Sequence, residues 1–197
     1  VAIRYFTCAQ TAALIRKALK EAFQGVKFSV RSHTYSGGAS IGVNWTDGPN
    51  AAQVDDVVMR FKGAYFDGSI DYKGSIYHMM GGQQIRFGAD YINTRRDYSP
   101  AAIERAIDTV FRRLRGNFRD AGIARPTVED FAHGRLWNVR LMSGARDSVQ
   151  AEINNVLWKH SDRLKVAKSP TAGSVFVTHD DGYSRTNGAG VSAVAVH

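Results

Sequence analysis

At 197 residues the chain can bury a core in one domain, or in one domain with a substantial appendage. Its apolar and charged fractions, 44% and 22%, are those of a soluble globular protein, and no run approaches the roughly eighteen apolar residues that a membrane-spanning helix needs. The formal charge of +8, with eighteen Arg against eight Lys, makes a poor mimic of the negative DNA duplex and favours an anionic partner, because the guanidinium fork suits phosphate and carboxylate.

Ile3 to Phe6 reads as a short strand. From Thr11 onward Leu14, Ile15, Ala18, Leu19, Ala22 and Phe23 recur at helical spacing, opposite Arg16, Lys17, Lys20, Glu21 and Gln24, and Gly25 is expected to end this amphipathic helix. The stretch Lys27 to Pro49 is a β-hairpin. Phe28 and Val30 alternate with polar residues before a Tyr35-Ser36-Gly37-Gly38 turn, and Ile41, Val43 and Trp45 alternate on the return. Asn50 and Gln53 have capping-box spacing, and Val54, Val57, Val58 and Phe61 form the stripe of a second helix that Gly63 stops.

Residues 64–84 carry repeated glycine and several aromatics without a sustained period, which predicts a long loop. From Gln84, Ile85, Phe87, Ala89 and Tyr91 alternate with Arg86, Gly88, Asp90 and Ile92 as a third strand. Ser99 as N-cap and Pro100 at the first position open a third helix, with Ile103, Ala106, Ile107, Val110, Phe111 and Leu114 on its core face. Glu129 to Phe131 suggest a short helix and Leu136 to Leu141 a strand. Asp147 or Ser148 caps a further helix with Val149, Ile153, Val156 and Leu157 inward, and Ser174 to Val177 pairs with Val191 to Val196 as a terminal strand pair. The predicted organisation is α+β: a hairpin-based mixed or antiparallel sheet with the amphipathic helices packed on one face, plus the C-terminal helix and strand pair. Residues 1–120 make the main domain and 121–197 a C-terminal extension.

The combination LIRKALK, KFSVRS, YSGG and WTDGP, within Leu14 to Val54, resembles the large polyvalent protein associated domains, the twenty-ninth of that series. IRFGADYI and RDYSP extend the likeness to about Pro100. The resemblance implies a small α+β module carried by phages and conjugative plasmids, often within large proteins thought to enter a recipient cell with DNA and to blunt restriction or other defences. It brings no catalytic residues to carry over.

Lys27, Arg31 and His33 share one hairpin face at period two, with Tyr35 at the turn; basic and aromatic sheet faces bind single strands by phosphate contact and stacking. The plainer reading is the solvated side of a half-buried sheet. Arg112, Arg113, Arg115 and Arg119 form the densest positive cluster; part complements the helix macrodipole, and the remainder is suited to phosphate. The expected partner is nucleic acid, DNA or RNA, or an acidic host defence protein, in a non-catalytic counter-defence role of the anti-restriction or anti-CRISPR type. A hydrolase or transferase is the alternative, using Cys8 near a helix start or the cluster His179-Asp180-Asp181. So is an interaction subunit of a larger assembly. The six histidines show no paired spacing and there is one cysteine, so no metal and no cofactor is expected. The lone cysteine and the lack of a signal-peptide pattern point to the cytoplasm.

Overall fold

The computed structural model describes residues 3–141, 147–163 and 165–183. The fold is α+β, and the chain divides into two compact units. One draws on Val1–Trp45, Ala51–Arg95 and Leu164–His197, the other on Thr46–Asn50 and Arg96–Arg163. Among the described residues, no helix is long and apolar enough to cross a membrane.

The first unit opens with β1 (Arg4–Phe6) and α1 (Cys8–Ala22). Thr7 fixes the start of α1 with a capping box: its hydroxyl accepts from the Gln10 N–H at 3.2 Å, and the Gln10 side chain accepts from the Thr7 N–H at 2.9 Å. Then follow β2 (Phe28–Tyr35), β3 (Gly38–Thr46), and α2 (Ala51–Val58) with a single 3-10 turn, Met59–Phe61. β2 and β3 pair antiparallel from Phe28 opposite Trp45 to Tyr35 opposite Gly38. The turn is therefore Ser36-Gly37, and Gly37 sits at φ +87°, which suits a two-residue hairpin.

The predicted loop at residues 64–84 is instead sheet: β4 (Ala64–Asp67), β5 (Tyr72–Met80) and the start of β6 (Gln83–Phe87). The inward positions of β5 include Gly74, Ile76 and His78, so the period of two is hidden behind a glycine and a histidine. Glycine is required at 74 because the Tyr65 ring lies across it, and an added Cβ would meet that ring at 2.2 Å. The expected single strand from Gln84 is two strands, β6 and β7 (Tyr91–Asp97), in different sheets. Between them the phase slips: Ile85, Phe87 and Ala89 are buried, and the next buried position is Ile92, leaving Tyr91 outside.

One sheet has the order β2-β3-β7. The Asp90 N–H donates to Ala39 O and the Asp47 N–H to Asp97 O, so β7 runs parallel to β3. The other sheet runs β1-β6-β5-β4, with β1 parallel to β6 and the remaining pairs antiparallel. Both sheets bury their inner faces in one core with α1 and α2, around Ile15, Leu19, Ile41, Val43, Phe61 and Ile85.

The second unit contains α3 (Pro100–Arg113), α4 (Arg115–Asp120), α5 (Val128–Ala132) and α6 (Val149–Lys159). Ser99, Thr127 and Ser148 cap α3, α5 and α6 with side-chain oxygens. The apolar stripe of α3 does not lie on the sheet as expected: Ile103, Ile107 and Val110 pack with Phe118, Leu136, Ile153 and Leu157 in a helical core of their own. The strand expected at Leu136 to Leu141 is a run of turns, because Leu136 is drawn into that core and its carbonyl accepts from the Val139 and Gln150 N–H groups. Arg96 organises this unit. Its guanidinium donates to four carbonyls, Asp47 O at 3.0 Å, Gly48 O at 2.9 Å, Leu157 O at 3.0 Å and His160 O at 2.8 Å, joining the turn at Asp47 to the C-terminus of α6.

The chain then returns to the first unit with α7 (Pro170–Gly173) and β8 (Val175–Asp180). The partner of β8 is β5, with Val175 opposite Met80 and His179 opposite Tyr77. The strand expected at Val191 to Val196 lies outside the described residues.

Candidate nucleic-acid interface

Strand alternation, with burial on one side, fixes which side chains of the β2-β3-β7 sheet face outward. Lys27 precedes β2 and is exposed, as are Arg31 and His33, and Tyr35 keeps 43% of its surface. His33 and Tyr35 lie with ring centroids 5.9 Å apart. Opposite this row β3 presents only Gly38, Ser40, Gly42 and Asn44; the Tyr35 ring leans over Gly38, and the space above Gly42 is open. β7 supplies a second row that the sequence pattern concealed: Tyr91, Asn93 and Arg95 are exposed, with Ile92 turned inward. The two rows therefore flank a shallow lane of small side chains, two strand spacings or about 10 Å across.

One end of the lane is tied down. Lys73 Nζ donates to Gly37 O at 2.8 Å and pairs with Asp90 at 3.0 Å, and Asp90 also accepts from the Ala39 N–H at 3.1 Å. The free edge of β2 is capped at one point, where the Arg16 guanidinium donates to Val30 O at 2.7 Å.

The arginine cluster is spread rather than concentrated. The helix breaks at Leu114, so Arg112 and Arg113 end α3 while Arg115 and Arg119 belong to α4. Two of the four are paired with acids: folding brings Glu152 of α6 to Arg113, and Arg119 pairs with its sequence neighbour Asp120 at 2.9 Å. Arg112 and Arg115 are exposed and have no carboxylate partner among the described residues.

The residues of the enzymatic alternative are otherwise engaged. Cys8 is buried, its Sγ donates to Ser40 O at 3.5 Å, and burial holds its pKa above the ordinary thiol value, which keeps it protonated. Asp181 accepts from the Tyr65 hydroxyl at 2.6 Å, the Tyr72 hydroxyl at 2.8 Å and the Ser75 N–H at 2.8 Å. Partial burial raises its pKa, but these hydrogen bonds outweigh it and hold the carboxyl below its usual range. His179 stacks on Tyr77 at 4.6 Å and meets the Thr178 hydroxyl at 3.0 Å, so imidazole and carboxylate have different partners. Among the described residues no group of three or more His, Cys, Asp or Glu is arranged to hold a metal ion.

Compared with known proteins, residues 6–99 match the family model described as large polyvalent protein associated domain 29. No curated protein and no solved structure matches the chain.

Proposed function

Because residues 6–99 belong to the large polyvalent protein associated domain 29 family, we propose that this is an accessory protein of a phage or conjugative plasmid that binds nucleic acid without catalysing a reaction. The observation that carries the reading is the outer face of the β2-β3-β7 sheet, where Arg31, His33 and Tyr35 on one side and Tyr91 and Arg95 on the other flank an open lane. A strand of nucleic acid laid there has guanidinium groups for its phosphates and phenol rings for its bases. In the setting of a mobile element such binding serves counter-defence, of the anti-restriction or anti-CRISPR kind. The engaged states of Cys8 and Asp181 support the non-catalytic reading.

The test is binding to labelled single-stranded and duplex DNA and RNA across a salt series. The native protein is expected to bind single strands with affinity that falls steeply with salt. Arg31→Ala and Arg95→Ala should each flatten the salt slope by about one, and Tyr35→Ala with Tyr91→Ala should weaken binding by about 1–3 kcal/mol per base no longer stacked. No binding at low salt overturns the reading and directs attention to an acidic defence-protein surface.

A further inference from the structure

The second unit contains a cleft of about 280 Å³ that the sheet face does not involve. That is close to the lower end of small-molecule sites, roughly 300 Å³, which suits a ligand of about mononucleotide size rather than a longer one. Its floor is apolar. Ala102 and Ala106, one turn apart on α3, leave a gap that Val156 and Leu157 of α6 border from the other side, and Tyr98 adds an aromatic wall.

Charge around the cleft is unevenly used. Among its acids, Asp108 is held by Arg125 through contacts of 2.6 and 3.1 Å, Asp47 accepts from the Ser99 N–H at 2.9 Å, and Asp162 lies 3.5 Å from Arg163. Among its bases, Arg96 is consumed by its four carbonyls. Arg105 and Arg112, seven residues apart and so on one side of α3, have no carboxylate partner among the described residues; Arg112 makes only a 3.3 Å bond from Nε to Asp108 O. Two unpaired guanidinium groups thus stand at the mouth of an apolar, partly aromatic cleft.

We propose that this cleft binds a nucleotide, with the ring on the floor between α3 and α6 and the phosphate between Arg105 and Arg112. A phosphate matches the guanidinium fork, and a flat base fits the gap that two alanines leave. The proposal stands apart from the sheet-face reading. The nucleotide is either free or one unit of a strand, and the test separates these sources.

The experiment is an amide NMR titration of the full chain with AMP, adenosine, inorganic phosphate and a short oligoadenylate, following Val156 and His160. AMP is expected to shift both resonances saturably, with adenosine and phosphate each at least about tenfold weaker, since each lacks half of the contacts. The double variant Arg105→Ala/Arg112→Ala should weaken AMP by about tenfold or more, and Thr109→Trp, which fills the mouth from an exposed position, should abolish the shifts without lowering the Tm. Oligoadenylate that shifts the same resonances more tightly than AMP identifies a strand as the source, and the reverse order identifies the free nucleotide. No saturable shift with either, phosphate binding as tightly as AMP, or indifference to the double variant would overturn the proposal. Saturable AMP shifts beside an absence of single-strand binding that Arg31→Ala could weaken would show failure of the sheet-face reading alone, and single-strand binding without AMP shifts would show failure of this proposal alone.

Discussion

His78 is the residue whose environment is most at odds with its chemistry. It is fully buried on β5, packs edge-on against Phe87 at 4.9 Å, and neither ring nitrogen has a hydrogen-bond partner. Burial lowers its pKa from 6.5 to about 4, so the folded protein holds it neutral. The unfolded chain takes up a proton on this residue below pH 6.5 while the folded one does not until about pH 4. Stability is therefore intact above pH 6.5 and falls as the pH drops through that window, by about 3 kcal/mol at its lower end. His78→Leu removes both the titration and the unsatisfied N–H. Urea unfolding at a series of pH values should show the native protein losing stability between pH 6.5 and 4 more steeply than the variant; parallel loss in the two would refute this account. Arg96 is the complementary case, a polar side chain whose guanidinium places four of its five N–H donors on backbone carbonyls. Arg96→Lys keeps the charge but cannot reach four carbonyls, and is expected to lower stability by about 2–4 kcal/mol and to speed hydrogen exchange at the C-terminus of α6.

Elements were legible in the sequence where their signals are local. The N-cap of α3 at Ser99 with Pro100 behind it, and the register of the β2-β3 hairpin, follow from residues a few positions apart. Elements whose inward face is made by unusual residues were not. β5 hides because Gly74 and His78 take core positions, and both depend on partners elsewhere in the sheet: the Tyr65 ring for one and Phe87 for the other. Gly74→Ala is accordingly expected to be among the more damaging single-methyl additions in this chain. It displaces Tyr65 from Asp181, and a fall of several degrees in Tm would be the readout. The candidate site divides in the same way. The β2 row was legible from its period of two, whereas Tyr91 and Arg95 depend on the phase slip at Gly88–Asp90, which alternation alone assigns to the wrong face. The arginine cluster was legible as charge, but its partner Glu152 is contributed by α6, thirty-nine residues from Arg113.

On the scale of the whole molecule, the first unit is completed by residues well beyond the matched family region. Ala172 and Val175 belong to its core, β8 pairs with β5, and the Glu21 carboxylate accepts from the Ser169 hydroxyl and from the N–H and hydroxyl of Thr171. These bonds hold the Glu21 pKa low, so this clamp contributes stability above the ordinary carboxyl range and loses it on acidification. A fragment of residues 3–99 should therefore bind a hydrophobic dye and show little near-ultraviolet dichroism, while the full chain does neither. A cooperatively folded fragment would contradict the dependence on β8. There is also a temporal side to this arrangement. The edge of β5 that receives Val175–Asp180 is synthesised about a hundred residues before its partner, so at ordinary elongation rates it waits on the ribosome for roughly 5–20 s as an open strand, exposed to chaperones and to misplaced pairing.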